Sequence, residues 1–182
     1  VSMGATLARN NVNILLGGSG SRCYLNGLYF TAGSQHLDNH LSVDHASPNT
    51  TSRQYYKGIL DGRSRAIFGG KVLVRRDAQK ADAYQADKNL LLSEGAEVDT
   101  KPSLEIFADD VKCSHGATAG QLDEGVLFYL MSRGLDRETA RGILVRAYAS
   151  EIIDAIQLES LRGYLEGLFS DALLGLQSGG AS

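Results

Sequence analysis

Ser21-Arg22-Cys23-Tyr24-Leu25-Asn26-Gly27, Ser52-Arg53-Gln54-Tyr55-Tyr56-Lys57-Gly58 and Ser64-Arg65-Ala66-Ile67-Phe68-Gly69-Gly70 are three copies of one pattern, S-R-x-apolar-apolar-x-G. They are offset by 31 residues (52 − 21) and then by 12 (64 − 52). A polar start, two apolar residues and a glycine describe a short strand ending in a tight bend, where glycine accepts a positive φ at no steric cost. Repeated strands of this kind point to a stacked β-solenoid, in which each coil buries its apolar face only against its neighbours. A β-sandwich is the alternative such strands also allow.

Working outward, further strands are expected at Val12–Leu16, Leu28–Thr31, Gln35–Val43, Lys71–Arg75, Ser103–Phe107 and Asp110–His115. Asp77–Leu92 is polar and alanine-rich with a weak helical period, and reads as a loop holding one helical turn. Pro48 and Pro102 sit among turn formers. Gly17-Gly18-Ser19-Gly20-Ser21 lacks the lysine and hydroxyl of a phosphate loop and precedes no helix pattern, so it reads as a turn.

From Gln121 the period lengthens to that of helices. Leu122, Val126 and Tyr129 mark a first helix, with Asp123 and Glu124 in its first turn and Gly134 as its stop. Asp136 caps a second, whose stripe is Ala140, Ile143, Leu144, Ala147, Tyr148, Ile152, Ala155 and Ile156. A third starts near Glu159, with Leu161, Leu165, Leu168, Phe169 and Ala172 on one face. The expected fold is mainly β with a helical cap, a right-handed parallel β-helix (solenoid) over 1–120 followed by a C-terminal α-helical subdomain over 121–176. Residues 177–182 read as a flexible tail.

Among 182 residues, 43% are hydrophobic and 21% charged, an ordinary globular balance. The net charge of −3 argues against a general nucleic-acid or anionic-membrane binder. No apolar run approaches the length of a membrane span. Val1-Ser2-Met3 opens in strand territory, so an N-terminal part of the protein is expected to be absent. Cys23 and Cys113 could pair by arithmetic, but two cysteines without a secretion signal fit reduced thiols better. Cys23 reads as a small buried hydrophobe.

The chemistry concentrates in Asp109-Asp110-Val111-Lys112-Cys113-Ser114-His115-Gly116-Ala117-Thr118. Alternation along a strand points Cys113 and His115 the same way, with Val111 beside them. A thiol and an imidazole side by side can hold a thiophilic metal or an iron–sulfur fragment, but a closed site needs more donors. They would serve as metal ligands only with partner ligands. The same two residues could equally be a hydrogen-bonded pair at a strand end. His36, Asp38 and His40 also share a face, although any half-exposed strand shows that pattern. His45 reads as a hydrogen-bonded turn histidine.

The run D-D-V-K-C-S-H-G-A-T, His45-Ala46-Ser47-Pro48-Asn49-Thr50-Thr51-Ser52-Arg53-Gln54-Tyr55-Tyr56-Lys57-Gly58 and Phe128-Tyr129-Leu130-Met131-Ser132-Arg133-Gly134 together resemble the SufB/SufD family, on its SufD side. The resemblance covers nearly the whole chain in order. It implies a non-catalytic cytoplasmic scaffold subunit of the SUF iron–sulfur cluster assembly complex, pairing with SufB and docking the SufC ATPase. It also implies that His115, with Cys113 in support, takes part in building a nascent iron–sulfur cluster shared with SufB, no cofactor being held tightly by the chain alone. The helical region, with Arg133, Arg137, Arg141 and Glu151, would then be the SufC-docking surface, and a homodimer through the β-helix edge is the other pairing it allows. Arg133, Arg137, Arg141 and Arg146 otherwise read as a solvated, salt-bridged surface, with Glu151 inside the apolar stripe. A polysaccharide-active solenoid enzyme is the competing function, for which Asp38, Asp44 and Asp61 are the loose carboxylate candidates.

Overall fold

The computed structural model describes residues 1–178. Eight strands come first: β1 (Leu7–Leu16), β2 (Arg22–Thr31), β3 (His36–His45), β4 (Thr51–Leu60), β5 (Arg65–Val74), β6 (Asp82–Leu91), β7 (Glu97–Ile106) and β8 (Lys112–Gly120). Three helices follow: α1 (Glu124–Ser132), α2 (Arg137–Ile153) and α3 (Glu159–Ser178). The strands form two sheets, β1-β3-β5-β7 and β2-β4-β6-β8, and every pairing is parallel. Alternate strands therefore belong to opposite sheets, and each consecutive pair makes one coil of a four-coil β-solenoid. The all-parallel pairing excludes the sandwich. Two compact units result, Val1–Gly120 and the residues from Gln121 onward.

The coils stack in strict register: Leu37 on Ala66 on Val98 in one sheet, and Ser52 on Ala83 on Cys113 in the other. The serine–arginine pattern marks strand starts but not this repeat. Ser21 precedes β2, whereas Ser52 and Arg53 are the second and third residues of β4, and Ser64 precedes β5 in the other sheet. Turns stack as well, with Arg63 N–H donating to Gly33 O at 2.7 Å and Asp61 N–H to Thr31 O at 2.9 Å.

The interior is apolar near both sets of turns and polar across its middle. One apolar cluster joins Val72, Val74, Ala78, Ala81, Ala83 and Ala108; a second joins Tyr29, Leu37, Leu60, Ala66 and Ala96. Between them, Gln54, Gln85, Asp87 and Asn89 are all buried. Gln85 Nε2 donates to Gln54 Oε1 at 3.1 Å, and Asn89 Nδ2 donates to Asp87 Oδ2 at 2.7 Å. The Tyr29 hydroxyl donates to Asn89 Oδ1 and, at 3.3 Å, to Asp87 Oδ1.

This polar middle explains the loop expected at Asp77–Leu92, which is instead the central strand β6. Its inward row Ala83, Gln85, Asp87, Asn89 shows no apolar alternation, so only neighbouring coils select the extended form. Pro102 likewise lies within β7 rather than in a turn, on an edge strand where a missing N–H costs no ladder bond.

Burial raises the Asp87 carboxyl to about 6 against the hydrogen bonds from Asn89 and Tyr29, which favour its charged form. The folded chain thus binds this proton more tightly than the unfolded chain. Stability from this group is present below the ordinary carboxylate value of 3.8 and is lost as pH rises through about 6. Urea titrations at pH 4 and pH 7 are expected to show wild type losing about 2 kcal/mol more than Asp87→Asn over that window. Equal losses in the two proteins would show that Asp87 does not carry the effect.

In the helical unit, Asp123 caps α1 by accepting from Gly125 and Val126 N–H, and Asp136 caps α2 by accepting from Thr139 N–H. Gly134 closes α1 at φ +94°. The buried faces differ from those expected. In α1 only Leu127 is buried, while Val126 and Tyr129 are exposed. The run Val126–Met131 is apolar all round, so periodicity selects no face. In α2 the buried residues are Ala140, Val145, Ala149, Ile152 and Ile153; Ile143 and Ala147 are exposed, and so is Glu151. Glu151 therefore lies outside the buried face. In α3 Phe169 and Leu173 are buried, while Leu161 and Leu168 are exposed. Helix α3 runs on through Gln177 and Ser178, and the rest of the expected tail lies outside the described residues.

Candidate functional site

Strand β8 pairs with β6 along one side, and its other side is unpaired. The solenoid thus ends on an open coil formed by β7 and β8. Register continues the inward rows into this last strand: Cys23, Ser52, Ala83, Cys113 in one, and Leu25, Gln54, Gln85, His115 in the next. The alternation expected for Cys113 and His115 is therefore realised, and both belong to inward rows at the open end. Val111 and Cys113 pack against the apolar cluster around Val72 and Ala83, and Cys113 is half-buried. His115, one position beyond that cluster in its row, is exposed.

Burial pushes the Cys113 thiol upward, more than a backbone hydrogen bond from Ala83 pulls it down, and the nearby Asp82 charge adds to the rise. A thiol held neutral this way becomes a thiolate ligand when a metal takes the place of its proton. His115 makes no hydrogen bond or ion pair among the described residues, so both ring nitrogens remain available. Cys113 and His115 thus offer two donors of different softness on adjacent inward positions, too few to close a metal site by themselves. Among the described residues no three His, Cys, Asp or Glu side chains converge on a metal-sized space.

Cys23 is free, as is Cys113, and burial raises its thiol. The two thiols occupy the first and last strands of one row, three strand steps or about 14 Å apart, which no disulfide spans.

His36, Asp38 and His40 share the outer face of β3 but form no metal cage. Asp38 is taken by Arg9 Nη1 at 3.1 Å and His40 Nε2 at 2.5 Å. His45 is fully buried, its Nδ1 2.8 Å from Thr50 Oγ1 and its Nε2 2.8 Å from Ser52 Oγ. Burial lowers its pKa against the charges of Asp44 and Asp82. Neutral His45 thus favours the folded chain above the ordinary histidine value of 6.5, and that contribution is lost as pH falls below it.

The carboxylates that a polysaccharide-active enzyme would use do not converge. Asp44 is clamped by Arg75 through bonds of 3.0, 3.2 and 2.7 Å, Asp38 is paired as above, and Asp61 lies in the turn after β4. In the helical unit Arg137 pairs with Glu124 at 2.8 Å, and Arg133 lies over the Tyr129 ring at 5.2 Å. Arg141 and Glu151 are each engaged by other residues, so none of the four is an idle charge.

These features define a parallel β-solenoid protein whose chain continues into a helical unit. Residues 1–148 match the family described as SUF system FeS cluster assembly, SufBD core domain, and the chain belongs to that family. It is 43% identical over 165 residues to an iron–sulfur cluster assembly SufBD family protein of Synechocystis, covering 91% of this chain and 36% of that protein. It is 39% identical over 160 residues to the iron–sulfur cluster assembly protein SufD of Escherichia coli, covering 88% of this chain and 38% of the relative. The chloroplastic protein ABCI7 of Arabidopsis thaliana is 40% identical over 163 residues, covering 89% of this chain and 34% of that protein. The chain thus spans a little over a third of the length of these relatives. No helix among the described residues is long and apolar enough to cross a membrane.

Proposed function

We propose that the chain is part of a non-catalytic scaffold subunit on which an iron–sulfur cluster is assembled at the contact with a SufB-like partner. The observation that carries this reading is the unpaired edge of β8, which presents Cys113 and His115 on inward rows at the open end. A strand edge associates by main-chain hydrogen bonds, and another open edge laid against it would extend the sheet past both donors. The partner would bring the missing thiolate and carboxylate ligands, while His115 supplies a neutral nitrogen. A second copy of this chain could take the same edge, but it would offer only the same two donors again.

Docking of a SufC-like ATPase is assigned to the helical unit. Its exposed apolar side chains, Phe128 and Tyr129 on α1 and Leu161 and Tyr164 on α3, suit a protein surface better than water. The sequence contains no phosphate-loop motif, which fits a subunit that works with a separate ATPase.

The test is an anaerobic iron and sulfide assay of this protein, alone and co-expressed with SufB- and SufC-like partners. The complex is expected to carry both elements, and the lone protein neither in stoichiometric amount. A protein shortened by residues 136–182 is expected to lose the ATPase in a pull-down while keeping the SufB-like partner. Stoichiometric metal on the lone protein, or loss of both partners together, would sink this division of labour.

A further inference from the structure

Three successive positions in one inward row, Gln54, Gln85 and His115, are left chemically incomplete, the first through its unpaired Nε2. Gln85 is fully buried, and its Oε1 has no hydrogen-bond partner. His115 stands directly opposite it in register on β8 and makes no hydrogen bond of its own. Paired strands lie about 4.8 Å apart, which puts the amide below within reach of a rotamer of an imidazole in this row. An orphaned buried carbonyl is costly enough to favour any donor that reaches it.

The Gln85 amide is held on one side by a hydrogen bond to Gln54. Its Nε2 donates to Gln54 Oε1 at 3.1 Å, which sends Oε1 to the other side of the amide. Across the interior stands Gly70, where a Cβ would come 1.7 Å from Gln85 Nε2. The facing strand therefore leaves a slot that the amide fills. Gln54 and Gln85 form a braced arm whose unpaired acceptor lies one strand step from the imidazole.

We infer that Gln85 is a positioning residue for His115: its side-chain carbonyl accepts the imidazole N–H and turns the other ring nitrogen toward the open end of the solenoid. This rests on the reading of His115 as a cluster ligand and adds how that ligand is aimed. Histidine ligands nearly always donate their second N–H to a carbonyl or carboxylate, which fixes tautomer and ring orientation. The carbonyl here is an amide oxygen, an acceptor only, so it can hold one ring N–H while the other ring nitrogen faces the open end.

The experiment compares wild type, Gln85→Met and His115→Ala in the full protein with 15N-labelled histidine, and then in the assembled complex. The missing signals of His115→Ala assign the ring. Wild type is expected to give two well-separated 15N ring resonances from one fixed tautomer. In Gln85→Met these should move toward a common average, while the backbone amide signals of β6 and β8 stay in place. Iron retained by the complex should fall about tenfold or more, the usual loss when such a partner is removed. Should Gln85→Met fold poorly, the double variant Gln54→Met with Gln85→Met, which leaves neither amide without its mate, serves for the same comparison. An averaged ring in wild type, or separated resonances surviving in Gln85→Met, overturns the positioning role. If His115→Ala retains normal assembly, the ligand reading fails, and the ring signals still decide whether Gln85 holds the imidazole. If His115→Ala abolishes assembly while Gln85→Met changes neither ring nor iron, the ligand reading stands and this inference falls.

Discussion

Replacing His115 with alanine is expected to abolish cluster assembly by the complex while leaving the solenoid folded. The imidazole is exposed at the last coil and packs into neither apolar cluster, so its removal opens no cavity. The stability loss should be about 1–2 kcal/mol, a surface change plus the hydrogen bond to Gln85. Function should respond very differently, because one missing donor leaves a shared cluster short of a ligand. Cys113→Ser separates the roles of the two residues. Cys113 is half-buried against Ala83 and the Val72 cluster, so a serine there costs packing whether or not the thiol ligates. Equal loss of iron in both variants would make Cys113 a ligand; a much smaller loss would make it a support for the strand end. Cells relying on this system alone give the readout, and normal cluster formation by His115→Ala would make the histidine structural.

Gly58→Ala should cost the β unit about 3 kcal/mol or more of stability. Gly58 lies on the inward row of β4, between Tyr29 and Asn89 in register. A Cβ there would meet Asn89 Oδ1 at 2.2 Å, Tyr29 Cε2 at 2.3 Å and Tyr29 Cζ at 2.5 Å. Those atoms cannot step aside cheaply, because the Tyr29 hydroxyl and the Asn89 amide are tied to each other and to Asp87. The methyl would break buried hydrogen bonds as well as overpack, and each broken bond leaves a polar group unsatisfied. Gly116→Ala is the matched control in β8, where an added Cβ meets nothing within 4 Å. Denaturant midpoints for the two variants provide the comparison. A Gly58→Ala protein as stable as Gly116→Ala would show that the Tyr29–Asn89–Asp87 network yields far more easily than its packing implies.

What could be read from the sequence follows from where period and polarity agree. Strand β3 was legible because Leu37, Leu41 and Val43 face inward while Asp38 and His40 face out. Strand β6 was not, because Gln85, Asp87 and Asn89 look like loop residues until Gln54 and Tyr29 are placed beside them. The helices were legible as helices from Asp123, Asp136 and Gly134, but their inner faces were not. Val126 through Met131 is apolar on every side, and in α2 tertiary packing chose Val145 and Ala149 over Ile143 and Ala147. Cys113 and His115 could be picked out as a pair from their spacing. Their place on the terminal coil, and Gln85 beneath the histidine, depended on a register that no local signal encodes.

The polar interior also bears on how stacked coils avoid misalignment. A parallel pair that slides by two residues keeps every side chain on its own face, so apolar patterning alone does not forbid it. With β4 and β6 slid in this way, Gly58 would leave Asn89 and stand beside Asp87 or Leu91, and Gln54 would stand beside Ala83 or Asp87 instead of Gln85. Each shifted stack strands amides or a carboxyl without a mate in the dry interior, at a cost of several kcal/mol per coil pair. Buried polar groups thus act as a positional key, giving up some stability relative to an aliphatic core in exchange for a single allowed alignment. The proposed two-chain cluster site would depend on that alignment being unique.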